Sequence, residues 1–241
     1  MQELILISSF HLAASLALSI AAVRIYFVVR KKKSTSIAYF FYGLSLIALY
    51  LFTKAMPGII LEDGFLVYAL SSLFRPILLL GGMFFCLIPF RLLGMSVLER
   101  LYIGLTLLAI LIISALNYFG LEGKEELYRG SAYWIIIRDP FLDYGALFAG
   151  IVFALSLLTA MGFYAHFTHK KRKSEIAFGR ALMITVACFF LFGGAATSYI
   201  IGTFVENHIA VGTVSSLFYI MGAVVLVASV NYKGEKKLKS N

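Results

Sequence analysis

Residues 65–90 read FLVYALSSLFRPILLLGGMFFCLIPF, an apolar run whose single charged side chain is Arg75. A transmembrane helix needs about 20 consecutive, mostly apolar residues, so this run is long enough to cross a bilayer. The whole chain has the same character, since 61% of its 241 residues are hydrophobic and only 14% are charged. Soluble domains carry about 25% charged residues. The composition therefore excludes a soluble domain, a disordered chain and a soluble nucleic-acid binder, and it predicts a polytopic membrane protein.

Seven apolar runs of this kind follow one another along the chain. The predicted spans are about 5–28, 37–55, 65–90, 100–119, 143–166, 177–202 and 209–231. Backbone polar groups in hydrocarbon must pair within the protein, which leaves helices or a closed barrel. The short alternating segments of a β-barrel are absent. We predict an all-α integral membrane protein, a single seven-helix bundle over residues 1–241, whose first span belongs to the mature chain.

Basic residues collect on one side of the predicted membrane. The two densest clusters follow spans 1 and 5, and most of the 21 Lys and Arg residues share their side. These clusters consist of Arg30, Lys31, Lys32 and Lys33, and of Lys170, Lys171, Arg172 and Lys173. The positive-inside rule places the N-terminus outside and the C-terminus in the cytoplasm. We expect the clusters to contact lipid headgroups, with docking of a cytoplasmic partner as the alternative.

The chain also carries a weak internal repeat. KSTSIAY at 33–39 resembles KSEIAF at 173–178, and SSLF occurs at both 71–74 and 215–218. The matches keep their order at a nearly constant offset, which indicates a duplication. Repeat 1 then covers about 1–95, a linker helix about 98–120, and repeat 2 about 140–232. Both triplets start on the same side, so the repeat is parallel, as in several carriers.

The inventory of reactive side chains argues against catalysis. The last span has no lysine for a retinal Schiff base, and the histidines cannot form a facing heme pair. No cluster has zinc-ligand spacing. We expect Cys86 and Cys188 to be isolated small apolar residues. We predict a non-enzyme with no catalytic residue, metal or cofactor, whose long loop at about 120–142 forms an interfacial anchor or, alternatively, a lid over a ligand.

Arg75 is the residue that topology does not explain. A charged side chain near the bilayer centre costs at least about 2.5 kcal/mol, so it must face the bundle interior and find an acceptor. Pro76 follows it and predicts a kink in a polar, irregular helix. One interpretation is an internal clamp, with Asp143 as the nearest candidate carboxylate. The other is a binding residue for an anionic small ligand or lipid.

Softer polar groups lie at similar predicted depth and could line the same cavity. Each of them is also suited to bond a neighbouring helix. The candidates are Ser71, Ser72, His11, Tyr199 and Tyr219. The repeat aligns Arg75 with Tyr219, so a site built on Arg75 is asymmetric between the two halves.

Three short segments carry a resemblance to a known module. They are Phe84-Phe85 with the later Phe90-Arg91-Leu92-Leu93-Gly94, the segment Asp143–Phe148, and Gly179-Arg180-Ala181-Leu182. In order and topology the chain resembles the seven-helix sensor module at the N-terminus of many prokaryotic histidine kinases and cyclic-dinucleotide cyclases. It lacks the usual tryptophans of that module and carries no kinase or cyclase. The resemblance implies a prokaryotic plasma membrane protein with an outward-facing pocket and a separate signalling partner.

Three functions remain open at this point. The first is a receptor-like sensor with a pocket near Arg75 that signals to a cytoplasmic partner or through a homo-oligomer. The second is a small-solute carrier of three-plus-one-plus-three architecture, which the repeat favours. The third is a structural subunit of a membrane complex.

Overall fold

The chain is almost entirely helical wherever its structure is described. The computed structural model describes residues 2–32, 35–56, 64–121, 140–170, 175–201, 204–205 and 208–232, and these ranges contain no strand. The helices are α1 (Gln2–Lys32), α2 (Thr35–Ala55), α3 (Gly64–Leu92), α4 (Ser96–Leu121), α5 (Pro140–Lys170), α6 (Glu175–Ala196) and α7 (His208–Asn231), with a π-helical turn at Thr197–Ile201. The predicted loop segment at 122–139 lies outside the described residues.

Six apolar helical stretches in the described ranges are long enough to cross a membrane. They are Ser8–Lys31, Thr35–Ala55, Arg75–Leu92, Ser96–Leu116, Phe178–Ala196 and Ala210–Ser229. They coincide with six of the predicted spans, and the chain is therefore compatible with a multi-pass integral membrane protein. The remaining predicted span, 143–166, falls within α5, a helix of 31 residues.

The helices form a closed ring. Among the described residues, the packing order is α1, α2, α3, α5, α6, α7 and back to α1. Helix α4 lies outside the ring against α3 and α5. Its outward face is a stripe of large apolar side chains, each more than half exposed, as a lipid-facing helix requires: Val97, Leu101, Leu105, Leu108 and Leu111.

Aromatic side chains of α2 reach across the ring at two levels. The rings of Phe40 on α2 and Tyr164 on α5 are 6.3 Å apart. Nearer the other end, the rings of Tyr50 on α2 and Tyr219 on α7 are also 6.3 Å apart. Aromatic pairs at this spacing contribute beyond their buried area. The interior of the ring is therefore bridged by side chains at both levels.

Glycines bring neighbouring helices close together. A Cβ on Gly43 of α2 would lie 2.9 Å from the Phe85 ring, and one on Gly81 of α3 would lie 2.8 Å from Ile47 Cγ1. On α6, a Cβ at Gly193 would lie 2.9 Å from the Phe218 ring, and one at Gly194 would lie 3.0 Å from Tyr219. Small residues permit such close approach in membranes. Gly193 and Gly194 thus permit close packing of α6 on α7.

We call the end of the bundle with Arg30 and Lys31 the basic end, and the other end the opposite end. At the basic end, α3 closes in a turn where Gly94 has φ +72° and Met95 N–H donates to the Phe90 carbonyl at 2.9 Å. Glycine at this position has no Cβ to strain the left-handed backbone. The turn directs α4 back along α3.

A buried carboxylate joins three helices at the basic end. Glu99 of α4 is only 7% exposed. The Tyr39 hydroxyl of α2 donates to its Oε1 at 3.0 Å, and Arg91 of α3 lies 3.5 Å from its Oε2. Buried charges are tolerated when they are paired and hydrogen-bonded. This contact was not foreseen from the sequence, because it joins residues far apart in the chain.

Candidate functional site

Lys54, near the end of α2, is buried within the bundle. It is 9% exposed, and its Nζ donates a hydrogen bond to the Tyr50 hydroxyl at 3.3 Å. The same Nζ lies 5.6 Å from the centroid of the Tyr50 ring. Residues four apart share one face of a helix, so this contact follows directly from the spacing. An ammonium in such surroundings is costly, and the hydroxyl and ring offset part of that cost.

Arg75 of α3 lies at the same level as Lys54. Gly81 of α3 packs against Ile47 of α2, and this contact gives the two helices a common reference level. Toward the opposite end, Arg75 lies six residues from Gly81, and Lys54 lies seven residues from Ile47. These steps correspond to about 9 and 10 Å along antiparallel helices. Arg75 is partly buried, and its charge lies close enough to Lys54 for the two to repel each other. Two cations therefore share one level of the bundle.

Tyr219 brings α7 to this level. Its side chain is fully buried, and its ring meets the Tyr50 ring edge to face. A Cβ on Gly194 of α6 would lie 3.0 Å from Tyr219, so the tyrosine is held between α6 and α2. The structure thus brings together Arg75 and Tyr219, two predicted site residues, through Tyr50 and Lys54.

His11 of α1 lies at a similar depth. It is 1% exposed, one turn beyond Ser15, whose hydroxyl donates to the Ala48 carbonyl of α2 at 2.8 Å. Measured from that bond toward the opposite end, His11 lies about 6 Å along α1, and Lys54 lies about 9 Å along α2. The buried imidazole is therefore roughly level with the two cations.

Two further hydroxyls meet near Tyr219, that of Ser198 in the π-helical turn and that of Ser215 in α7. The hydroxyls of Ser198 and Ser215 are 2.5 Å apart, and Ser215 also donates to the Gly194 carbonyl at 2.9 Å. Regular α-helix ends at Ala196, and the predicted span over 177–202 continues to Ile201 as the π-helical turn. π-turns occur frequently at functional sites. We define the polar belt as Lys54, Tyr50, Arg75, Tyr219, His11, Ser198 and Ser215.

Several predicted site residues have side chains outside the described part of the structure. Ser71 and Ser72 lie in α3, Asp143 lies near the start of α5, and Tyr199 lies in the π-helical turn. Their backbone positions are compatible with the predicted spans, and the predicted contacts of their side chains remain predictions.

The basic clusters are only partly described. Arg30 and Lys31 end α1 with exposed side chains. Lys33, Lys171, Arg172 and Lys173 lie outside the described residues, as do the side chains of Lys32 and Lys170. The two described residues are accessible at the basic end, as contact with lipid or a partner requires.

The two cysteines are buried free thiols, as expected. Cys86 lies in α3 and Cys188 in α6, and both belong to the buried core.

Sequence reasoning missed Lys54 as a site residue. It stands at the end of the predicted span 37–55 and is the single charged residue of that apolar run. The available signal was its spacing of four from Tyr50 within a helix that continues to Ala55. Chemically, an ammonium, a guanidinium and several hydroxyls at one level are donors suited to a carboxylate, sulfate or phosphate.

No protein-family model matches the chain, and comparison with curated proteins and with solved structures finds no significant match either. The functional argument therefore depends on the polar belt itself.

Proposed function

We propose that the protein is a non-enzymatic, receptor-like membrane sensor that binds a small anion at the polar belt and signals to a separate partner. The observation that carries this proposal is the burial of Lys54 against Tyr50 within electrostatic reach of Arg75. Bringing two cations together in a low-dielectric interior is costly, and it is rarely retained without function. A bound anion would relieve their repulsion.

The belt suits a sensor because it joins helices from both halves of the chain. Lys54 and Tyr50 belong to α2, Arg75 to α3, and Tyr219 to α7. An anion drawn toward Lys54 and Arg75 would alter the contact between Tyr50 and Tyr219. Occupancy could then bias the packing of α7, as any ligand with different affinity for two arrangements does.

In this proposal α5 also crosses the membrane, which brings the number of spans to seven, and the basic end faces the cytoplasm. The positive-inside rule gives that orientation, and the exposed side chains of Arg30 and Lys31 are compatible with it. The polar belt then lies in the outward-facing half, where an external solute would reach it. The partner would meet the basic end.

Thermal unfolding of the purified protein in nanodiscs tests the binding site. Inorganic phosphate, sulfate and succinate serve as probes, each over a concentration series. We expect at least one probe to raise the unfolding temperature of the wild type, and Lys54→Met or Arg75→Gln to weaken that effect at least tenfold in concentration. Lys31→Met, which removes an exposed charge, is the matched control. Wild-type responses in both belt variants would refute the anion site and leave Arg75 as an internal clamp.

A small-solute carrier is the second candidate, and the ring order favours it. Under the proposed repeat, α1 pairs with α5, α2 with α6 and α3 with α7. Each pair stands on opposite sides of the ring, as a pseudo-two-fold axis along the membrane normal requires. Uptake of labelled phosphate or succinate into proteoliposomes separates the candidates. Saturable uptake that is lost in Lys54→Met supports a carrier, whereas binding without uptake supports a sensor.

A further inference from the structure

Helices α6 and α7 form one continuous antiparallel seam from the polar belt to the basic end. Contacts along α6 run from Gly194 through Gly193 and Leu191 to Gly179, and their partners run along α7 in the opposite order: Ser215, Phe218, Gly222 and Tyr232. The register is constant within about one turn over the full length. From Gly194 to Gly179 the seam spans about 22 Å.

Polar contacts lock this seam at both of its ends. At the belt, Ser215 donates to the Gly194 carbonyl and meets Ser198. At the basic end, Arg180 of α6 donates from Nε and Nη2 to the Tyr232 carbonyl, at 3.1 and 3.0 Å. That carbonyl directly follows the last residue of α7, where helix carbonyls lack partners within the helix and a cation is favoured.

Glycine shapes the lock at the basic end. A Cβ on Gly179 would overlap the Tyr232 ring, so only glycine lets the ring lie against α6 while Arg180 holds the carbonyl. Between the two locks, α7 meets α6 at Gly193 and Gly194 and places its own Gly222 against Leu191. Large side chains fill the space that these glycines leave, so the contacts along the seam share one register and a shift of α7 would change all of them together.

We propose that the contact of Arg180 and Gly179 with Tyr232 is an output latch regulated by the polar belt. Tyr219 ties α7 to Tyr50, so an anion at Lys54 and Arg75 displaces α7 along the seam. The displacement opens the latch and frees the end of α7, which the sequence continues as Lys233, Lys236 and Lys237. The latch depends on the proposed function for its ligand, but its coupling to the belt is measurable in ligand-free protein.

The first test measures a distance across the latch without ligand. Spin labels at Ile176→Cys and Asn231→Cys, both exposed, report the separation of the two helix ends. The buried native cysteines do not compete for the label. Arg180→Gln and Gly179→Ala provide the open reference. We expect Tyr219→Leu and Ser215→Ala, which alter only the belt end, to shift the distance distribution toward that reference, whereas Leu111→Ala on the outer face of α4 leaves it unchanged.

The second test uses thermodynamic reciprocity. If the belt controls the latch, opening the latch must change affinity at the belt. We expect Arg180→Gln to change the midpoint for phosphate or succinate about fivefold or more, with Arg30→Gln, an exposed arginine of the basic end, as the control. Unchanged distances in both belt variants overturn the latch whatever the ligand does. Unchanged distances together with lost binding in Lys54→Met overturn the latch and leave the proposed function standing.

Discussion

The Tyr39 hydroxyl of α2 donates a 3.0 Å hydrogen bond to Glu99 Oε1 of α4, across the basic end of the bundle. Helix α4 packs mainly against α3 and α5. The hydrogen bond adds a tie between α4 and a third helix of the ring, α2. Arg91 approaches the second carboxylate oxygen from α3, with its own side chain about half exposed. One carboxylate thus fixes the position of three helices.

Glu99→Ala is therefore expected to destabilise the protein by about 1–3 kcal/mol, because it leaves the Tyr39 hydroxyl without its acceptor. The measurement is the unfolding midpoint in detergent. Arg91→Gln is the comparison, and it should cost less than about 1 kcal/mol, since an exposed ion-pair partner contributes little. Equal losses in the two variants would contradict a dominant Tyr39 bond.

Lys54→Met should stabilise the ligand-free protein while it removes anion binding. The methionine keeps the length of the side chain, avoids burying an ammonium and ends the repulsion with Arg75. The expected gain in unfolding free energy is about 1–3 kcal/mol. Unfolding of Lys54→Met and of Lys31→Met without any added anion is the measurement, and the exposed control should stay near the wild type. A destabilised Lys54→Met would mean that Lys54 holds the bundle together.

Two glycine substitutions should act in opposite directions. Gly81→Ala places a methyl group 2.8 Å from Ile47 Cγ1 and should cost about 1–3 kcal/mol through overpacking. Gly104→Ala places one where nothing lies within 4 Å, inside α4. It should stabilise the helix by about 0.5–1 kcal/mol, because alanine is the better helix former. Unfolding midpoints of the pair compare them directly, and the same sign for both would contradict the close packing of α2 on α3.

The proposed orientation predicts which single cysteines react in intact cells. Phe204, at the opposite end, is 74% exposed, and Lys31 is exposed at the basic end. We expect Phe204→Cys to react with a membrane-impermeant maleimide from outside, and Lys31→Cys to react only after permeabilisation. The buried native cysteines give a low background. The reverse pattern would invert the topology and place the polar belt on the cytoplasmic side.

Sequence patterns predicted the helices well, because the length of an apolar run is itself the physical requirement for crossing a bilayer. Arg75 stood out for a similar reason, since its cost in hydrocarbon is large. Lys54 was not predicted as a site residue, because it lies at the end of its apolar run, where a charged side chain usually reaches the lipid headgroups. The order of helices in the ring could not be predicted either. Surfaces that face lipid and surfaces that face another helix are both apolar, so the sequence does not distinguish them.

The other features that the sequence did not predict depend on contacts between residues far apart in the chain. The pairing of Tyr39 with Glu99 and that of Arg180 with Tyr232 each join elements whose relative position is set by the whole bundle. The π-helical turn after Ala196 accompanies the packing of Gly194 and Ser198 against α7. Of the polar belt, Arg75, Tyr219 and His11 were predicted from the sequence, and only the fold adds Lys54 and Tyr50 to them.

The closure of the ring by α1 and α7 has a consequence for biosynthesis. These two helices are neighbours in the bundle, yet of the described helices α1 is synthesised first and α7 last. Until α7 is made, the face of α1 that it will cover, and the hydroxyl of Ser198 that it will meet, stay without their final contacts. Assembly of the polar belt therefore waits for the synthesis of α7, and a nascent chain that lacks α7 cannot form the contacts of Tyr219 and Ser215.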